Sequence, residues 1–232
     1  MRFLASLAAT ALLALHAVAA DPPIIKSAKS GPWSAATSWE GNAVPGAGAR
    51  VLIREGHTIT YDAKSEAIIR AINISGTLNF VADKETLLNV GLIKIQAGDE
   101  YSEDGFDCDH AGAPDFTKPR PALIVGTPQM PIAKTATIRL HYVAGMNKET
   151  CPAIVCCGGQ WDMHGQWLSR AWVKLGANAQ IGDNALTLAE LATGWKVGDR
   201  VIVTGTQTHG NAKTESTTEE RTITAIAGTK IT

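Results

Sequence analysis

Short apolar alternations recur along the first half of the chain, each closed by a glycine. Val51 and Ile53 precede Gly56, Ile72 and Ile74 precede Gly76, and Ile93 and Ile95 precede Gly98. The paired apolar positions return every 21 residues, so the segment 51–98 reads as three copies of one unit. That period suits a coil stack in which each strand lies parallel on its counterpart one turn earlier and the glycine turns the corner. The competing reading is an antiparallel meander of three evenly spaced strands.

Around this stack the pattern changes. Residues 21–50 are rich in turn formers (Gly31, Pro32, Pro45, Gly46, Gly48) set around Trp33 and Trp39, which reads as a loop-rich cap whose tryptophans plug one end of a core. Residues 99–121 form a polar, acidic insertion too long for a tight turn. From 122 to 232, strand-like segments resume at uneven intervals: 122–125, 137–142, 153–157, 171–175, 185–188, 200–203 and 221–226. Trp172 opens one of them and is assigned to the core. A single helical turn is expected at 188–193, and no window carries a helical apolar face for three turns. The fold class is therefore all-β with very little helix: a short right-handed β-solenoid or β-helix-like stack, adjoined by a small β-sandwich or barrel.

Composition narrows the function classes. Of 232 residues, 45% are hydrophobic and 19% charged, the balance of a folded chain rather than a disordered one. Lys and Arg total 21 against 22 Asp and Glu, which leaves no polybasic surface to hold nucleic acid or anionic lipid by bulk charge. Residues 1–20 have the pattern of a secretory signal peptide: Arg2, an apolar run over 3–15, then Ala17, Val18, Ala19 and Ala20 before Asp21. Cleavage after Ala20 predicts a secreted or extracellular product, periplasmic or at the cell surface in a bacterium. No later apolar run is long enough to span a bilayer.

In such a compartment Cys108, Cys151, Cys156 and Cys157 can pair. A bridge between adjacent Cys156 and Cys157 is strained, so Cys108 is expected to join one of them and Cys151 the other; alternatively, one of Cys156 and Cys157 is a buried thiol. Asn73, Ile74 and Ser75 form a glycosylation sequon within a predicted strand.

The stretch IVCCGGQWDMHGQWLSRAWVKL over 154–175, with WKVGD over 195–199 and the opening GPWSAATSWEGNAVPGAG, resembles the extracellular G-eight domain, named for its eight glycines. Matching positions include Gly31, Trp33, Trp39, Asp62, Gly76, Gly159, His164, Gly165, Trp172, Trp195, Gly198 and Asp199. The resemblance implies an extracellular β-rich domain followed by a right-handed parallel β-helix. The family occurs in fibrocystin-like receptors and in proteins that bind or depolymerise hyaluronan. Two features depart from its pattern: the acidic insertion, and a chain that stops at Thr232 within a strand-like segment begun at Lys230. The second predicts an N-terminal fragment of a larger protein.

Candidate ligand-binding residues cluster in one stretch. Strand alternation puts Asp162 and His164 on one face and Trp161 and Met163 on the other. Asp162 can orient the His164 imidazole for acid–base work or a glycan contact, or both can serve the turn at Gly165. Trp161 and Trp167 offer flat faces to sugar rings, and Arg170 suits a carboxylate or sulfate. Asp99, Glu100, Glu103, Asp104, Asp107, Asp109 and Asp115 of the insertion form either a solvated acidic loop stapled by Cys108 or a calcium site, without the spacing of a known calcium loop. If calcium binds, Lys118 and Arg120 suggest a lyase-like arrangement. No phosphate-cradling loop, HExxH or GxSxG is present. The chain thus reads as a secreted, non-catalytic or catalysis-supporting module, without a required cofactor, that recognises extracellular polysaccharide and caps or docks onto a downstream β-helix. The alternatives are a polysaccharide-depolymerising enzyme and a structural or adhesive module.

Overall fold

The computed structural model describes residues 23–105, 108, 117–205 and 218–232. The signal-peptide segment, and Asp107, Asp109 and Asp115 of the insertion, lie outside the described residues. The chain is nearly all β. Its strands are β1 (Ile24–Lys26), β2 (Gly31–Pro32), β3 (Arg50–Ile53), β4 (Thr58–Tyr61), β5 (Lys64–Ile74), β6 (Thr77–Phe80), β7 (Thr86–Gln96), β8 (Ala122–Val125), β9 (Ala136–Leu140), β10 (Ala153–Cys157), β11 (Gln160–Met163), β12 (Leu186–Thr187), β13 (Arg200–Val203), β14 (Glu219–Thr222), β15 (Ile226–Ala227) and β16 (Lys230–Ile231).

The first sheet runs β1-β3-β5-β7-β10, with β9 also on β7, and the second runs β11-β8-β6-β4-β2. The 21-residue spacing is the register of the first sheet: Val51 pairs with Ile72 and Ile72 with Ile93, while Ile53 pairs with Ile74 and Ile74 with Ile95, all parallel. The columns extend beyond the repeat, because Ile25 pairs with Val51 and Ile154 with Ile93. Parallel, in-register stacking excludes the meander. Each column is dry, with Val51, Ile53, Ile72, Ile74, Ile93 and Ile95 all 0% exposed. Of the three corner glycines, Gly56 and Gly98 have positive φ. Gly76 is required by space instead: a Cβ there would run into the carbonyl oxygens of Arg54 and His57.

β7 is buried along both faces, the expected behaviour of a parallel strand covered on each side. The cover on the outer face comes from the insertion and the segment before β10, where Met146 and Cys151 pack on Ala71 and Leu92, flanked by Tyr101 and Val143. The cap behaves as expected. Trp33 and Trp39 are buried edge to face at 4.9 Å, Trp33 meets Tyr61 at 5.2 Å, and the Trp39 indole N–H donates to the Trp33 carbonyl. Ser34 fastens the cap to Asp62 through its backbone N–H (2.9 Å) and hydroxyl (2.6 Å).

The described residues divide into two compact units: 23–79, 86–105, 108, 117–123 and 137–161 in the first, and 80–85, 124–136, 162–205 and 218–232 in the second. The second holds two small antiparallel sheets, β12-β16-β15 and β13-β14.

Several local expectations are corrected. The helical turn at 188–193 is absent; Leu188 instead bridges Leu175, and the two short 3-10 turns lie in the cap at Ala36–Ser38 and Glu40–Asn42. No strand forms at 171–175, and Trp172 is 71% exposed rather than core. Strand alternation there had no partner ladder to pair with. Cys108 is bonded to Cys157, which leaves Cys151 as the buried thiol and Cys156 exposed. The sheet explains the division, since Cys157 faces the insertion and Cys156 the opposite side.

Candidate functional site

The 161–172 stretch starts on a strand and leaves it by a fixed path. Gln160 N–H donates to the Pro121 carbonyl and His164 N–H to the Val125 carbonyl, which sets β11 parallel to β8 with Trp161 in line with Leu123. The His164 carbonyl accepts from Ile132 N–H at 2.8 Å and lies against Gly126, whose φ of 79° and missing side chain leave it room. The His164 backbone is thereby held on both sides. Alternation holds as expected: Trp161 and Met163 are exposed, Asp162 and His164 half-buried.

Within the second unit, the half-buried His164 lines a cavity of about 1190 Å³ with Gln166, Trp172, Trp195, Lys134 and Arg200. The Trp195 indole N–H is spent on the Arg170 carbonyl at 2.9 Å, which fixes that wall. Asp199 receives the Lys196 N–H at 2.9 Å, closing the WKVGD turn in which Gly198 adopts φ 95°. The Trp167 carbonyl sits against Gly194 at a spot a Cβ would fill, and the Trp167 indole is 72% exposed.

Of the five sequence-nominated residues, only His164 lines this cavity. Trp167 lies outside its wall but exposed. The Arg170 guanidinium faces Glu190 at 2.7 Å, so an incoming carboxylate has to compete with an internal one. Trp161 belongs to the β11 ladder and Asp162 follows it there. Trp172 and Trp195 were missed as wall residues. The signal for Trp172 was present, since Arg170 and Ser169 before it are polar, but the apolar Val173 and Leu175 suggested a buried strand.

A second polar cluster lies in the first unit. Glu103, from the insertion, turns inward onto Arg70 and Arg50. Arg70 reaches it by Nη2 at 2.8 Å, Tyr101 donates its hydroxyl at 2.9 Å, and the Arg50 guanidinium stacks on the Tyr101 ring at 4.8 Å. Arg50 contributes its charge at 3.0 Å without an aligned Nε hydrogen bond. Burial works to raise the Glu103 pKa, but the bonds from Arg70 and Tyr101 and the two guanidinium charges outweigh it and hold the carboxyl below its ordinary range. Burial first, and then the Glu103 charge, push the Tyr101 phenol up. This part of the insertion is thus not a solvated loop, and Glu103 is committed to two guanidinium groups rather than to a metal ion. Among the described residues no group of three or more His, Cys, Asp or Glu is placed to hold a metal ion, and no helix is long and apolar enough to cross a membrane.

Comparison with known proteins agrees with the glycine and tryptophan pattern. The G8 domain family model matches residues 38–176, from within the cap to just past the 161–172 stretch. Fibrocystin-L of Mus musculus is 26% identical over 198 residues, covering 84% of this chain and 4% of that protein. Fibrocystin of Mus musculus is 22% identical over 205 residues, and that of Canis lupus familiaris 22% over 206, each covering 78% of this chain and 4% of the relative. The chain therefore spans about 4% of the length of the curated relatives it matches. No solved structure matches it.

Proposed function

The chain belongs to the G8 domain family, and from that premise we propose that it is a secreted β-rich module that recognises an extracellular polysaccharide, hyaluronan-like or another, and adjoins a downstream parallel β-helix of the same polypeptide. The observation that carries the glycan reading is the exposure of Trp167 (72%) and Trp172 (71%) on one short stretch. Indole faces left in water at this density suit the flat C–H faces of sugar rings. Beside them, His164 and Gln166 in the cavity wall supply hydrogen bonds to hydroxyls, and Lys134 and Arg200 supply positive charge. Arg170 is held in place by its pair with Glu190, the half-buried Asp162 offers a carboxylate to sugar hydroxyls, and Trp161 adds a further exposed ring at the start of the stretch.

Titration of the protein with hyaluronan oligosaccharides and with neutral glucans, followed by tryptophan fluorescence, tests this. Saturable binding is expected, weakened by about tenfold or more in W167A and W172A with thermal unfolding unchanged. No saturation by either glycan up to millimolar sites removes the reading. New chain ends in the same incubation would favour the depolymerising alternative.

A further inference from the structure

The exposed indoles of the second unit are not accompanied by cations free to take an anion. Trp167 and Trp172 stand 72% and 71% in water, and the cation between them in sequence, Arg170, points its Nη2 at Glu190 at 2.7 Å. Arg200, which lines the cavity with Trp172, is likewise engaged, by the Glu220 carboxylate of the paired strand β14. The other cations of the wall, Lys134 and Lys196, share it with the carboxylates of Glu85 and Asp199. Positive charge is therefore offset close to where it arises. What remains for a ligand is stacking and hydrogen bonding. The indole faces offer the first. The Gln166 amide and the His164 imidazole, neither of which has a side-chain hydrogen bond among the described residues, offer the second.

On the basis of the glycan reading above, we infer that this site selects a neutral hexose polysaccharide with the geometry of a β-glucan over one that bears uronate or sulfate groups. An acidic chain has to strip water from each anionic group it brings to the wall. Its carboxylate reaches the Arg170 and Arg200 guanidinium groups only by displacing Glu190 and Glu220, which are then left beside it as like charges. A neutral ring meets neither cost. In β-linked glucose the equatorial substituents leave a flat C–H face for an indole, and the ring hydroxyls both donate to and accept from amide and imidazole groups. Glu190 and Glu220 thereby set specificity by excluding anions, without contacting the favoured sugar.

Calorimetric titration of the full chain at neutral pH with laminarihexaose, cellohexaose and a hyaluronan hexasaccharide, each at low and high salt, tests this. At least one of the two glucans is expected to bind about tenfold or more tightly than hyaluronan, with an affinity that changes by less than about twofold with salt. The E190Q/E220Q double variant unmasks both guanidinium groups at exposed positions and is expected to gain about fivefold or more in hyaluronan affinity, a gain that high salt removes. Hyaluronan bound as tightly as the glucans, or more tightly, overturns the neutral class and leaves glycan recognition standing. A folded double variant that gains nothing overturns the role given to Glu190 and Glu220. If the double variant fails to fold, the comparison on the unmodified chain decides. Saturation by none of the three removes the glycan reading and the neutral class together.

Discussion

Arg70 grips Glu103 with its Nε placed 3.0 and 2.9 Å from the two carboxylate oxygens, while its Nη1 donates to the Ala144 carbonyl at 3.0 Å. One side chain of strand β5 thus ties down both the acidic insertion and the segment before β10. Side-chain exposures of 18% and 21% put the pair out of bulk water. Glu103→Gln leaves two guanidinium groups facing a neutral amide and is expected to cost about 2–3 kcal/mol at neutral pH. The folded-state pKa is depressed, so the stabilisation is present above the unfolded value of about 4.3 and is lost as pH falls through the folded one. Urea unfolding at several pH values should show the gap between the two proteins closing in acid. A gap of constant size would refute the ionic account.

Gly76→Ala is expected to be among the most damaging single-atom additions in the first unit. The new Cβ has no room against the carbonyls of Arg54 and His57, both backbone, so the corner has to open. A loss of about 3 kcal/mol is expected, measured by chemical denaturation. Gly46→Ala, where nothing lies within 4 Å, serves as the control and is expected to change little.

The Cys108–Cys157 bridge closes a separation of 49 residues and pins the insertion to the outer face of β10. Replacing both residues with Ser is expected to lower stability by about 2–4 kcal/mol through the freed unfolded chain. Thermal unfolding of the double variant checks this. An unchanged midpoint would mean that Glu103 and the Met146 contacts hold the insertion unaided.

The Asn73 sequon is expected to stay unmodified in folded protein. Asn73 is 5% exposed, its amide reaches the Glu100 carbonyl, and the Ser75 hydroxyl of the same sequon donates to the Gly98 carbonyl. A glycan here would displace the insertion from the outer face. Intact-mass analysis of protein secreted from a glycosylating cell should show the unmodified mass, and a glycoform that is secreted and folded would contradict the placement.

What was written in the chain itself is the ladder. Val51, Ile72 and Ile93 share a spacing because parallel strands of one sheet repeat by translation, and translation leaves an arithmetic trace in sequence. The buried tryptophan cap is legible for a similar reason, since turn formers around large aromatics leave those rings only the core end to fill. Tertiary structure alone decided the rest. Ala71 and Leu92 carry no mark saying that a distant loop will cover their outer face, and Glu103 looked like any solvated acid until Arg50 and Arg70 were found beneath it. Trp172 likewise reads as core by local alternation, but no strand pairs there and it stands 71% exposed. Periodicity reports contacts made by repetition; contacts made once, between residues far apart in the chain, have no period to report.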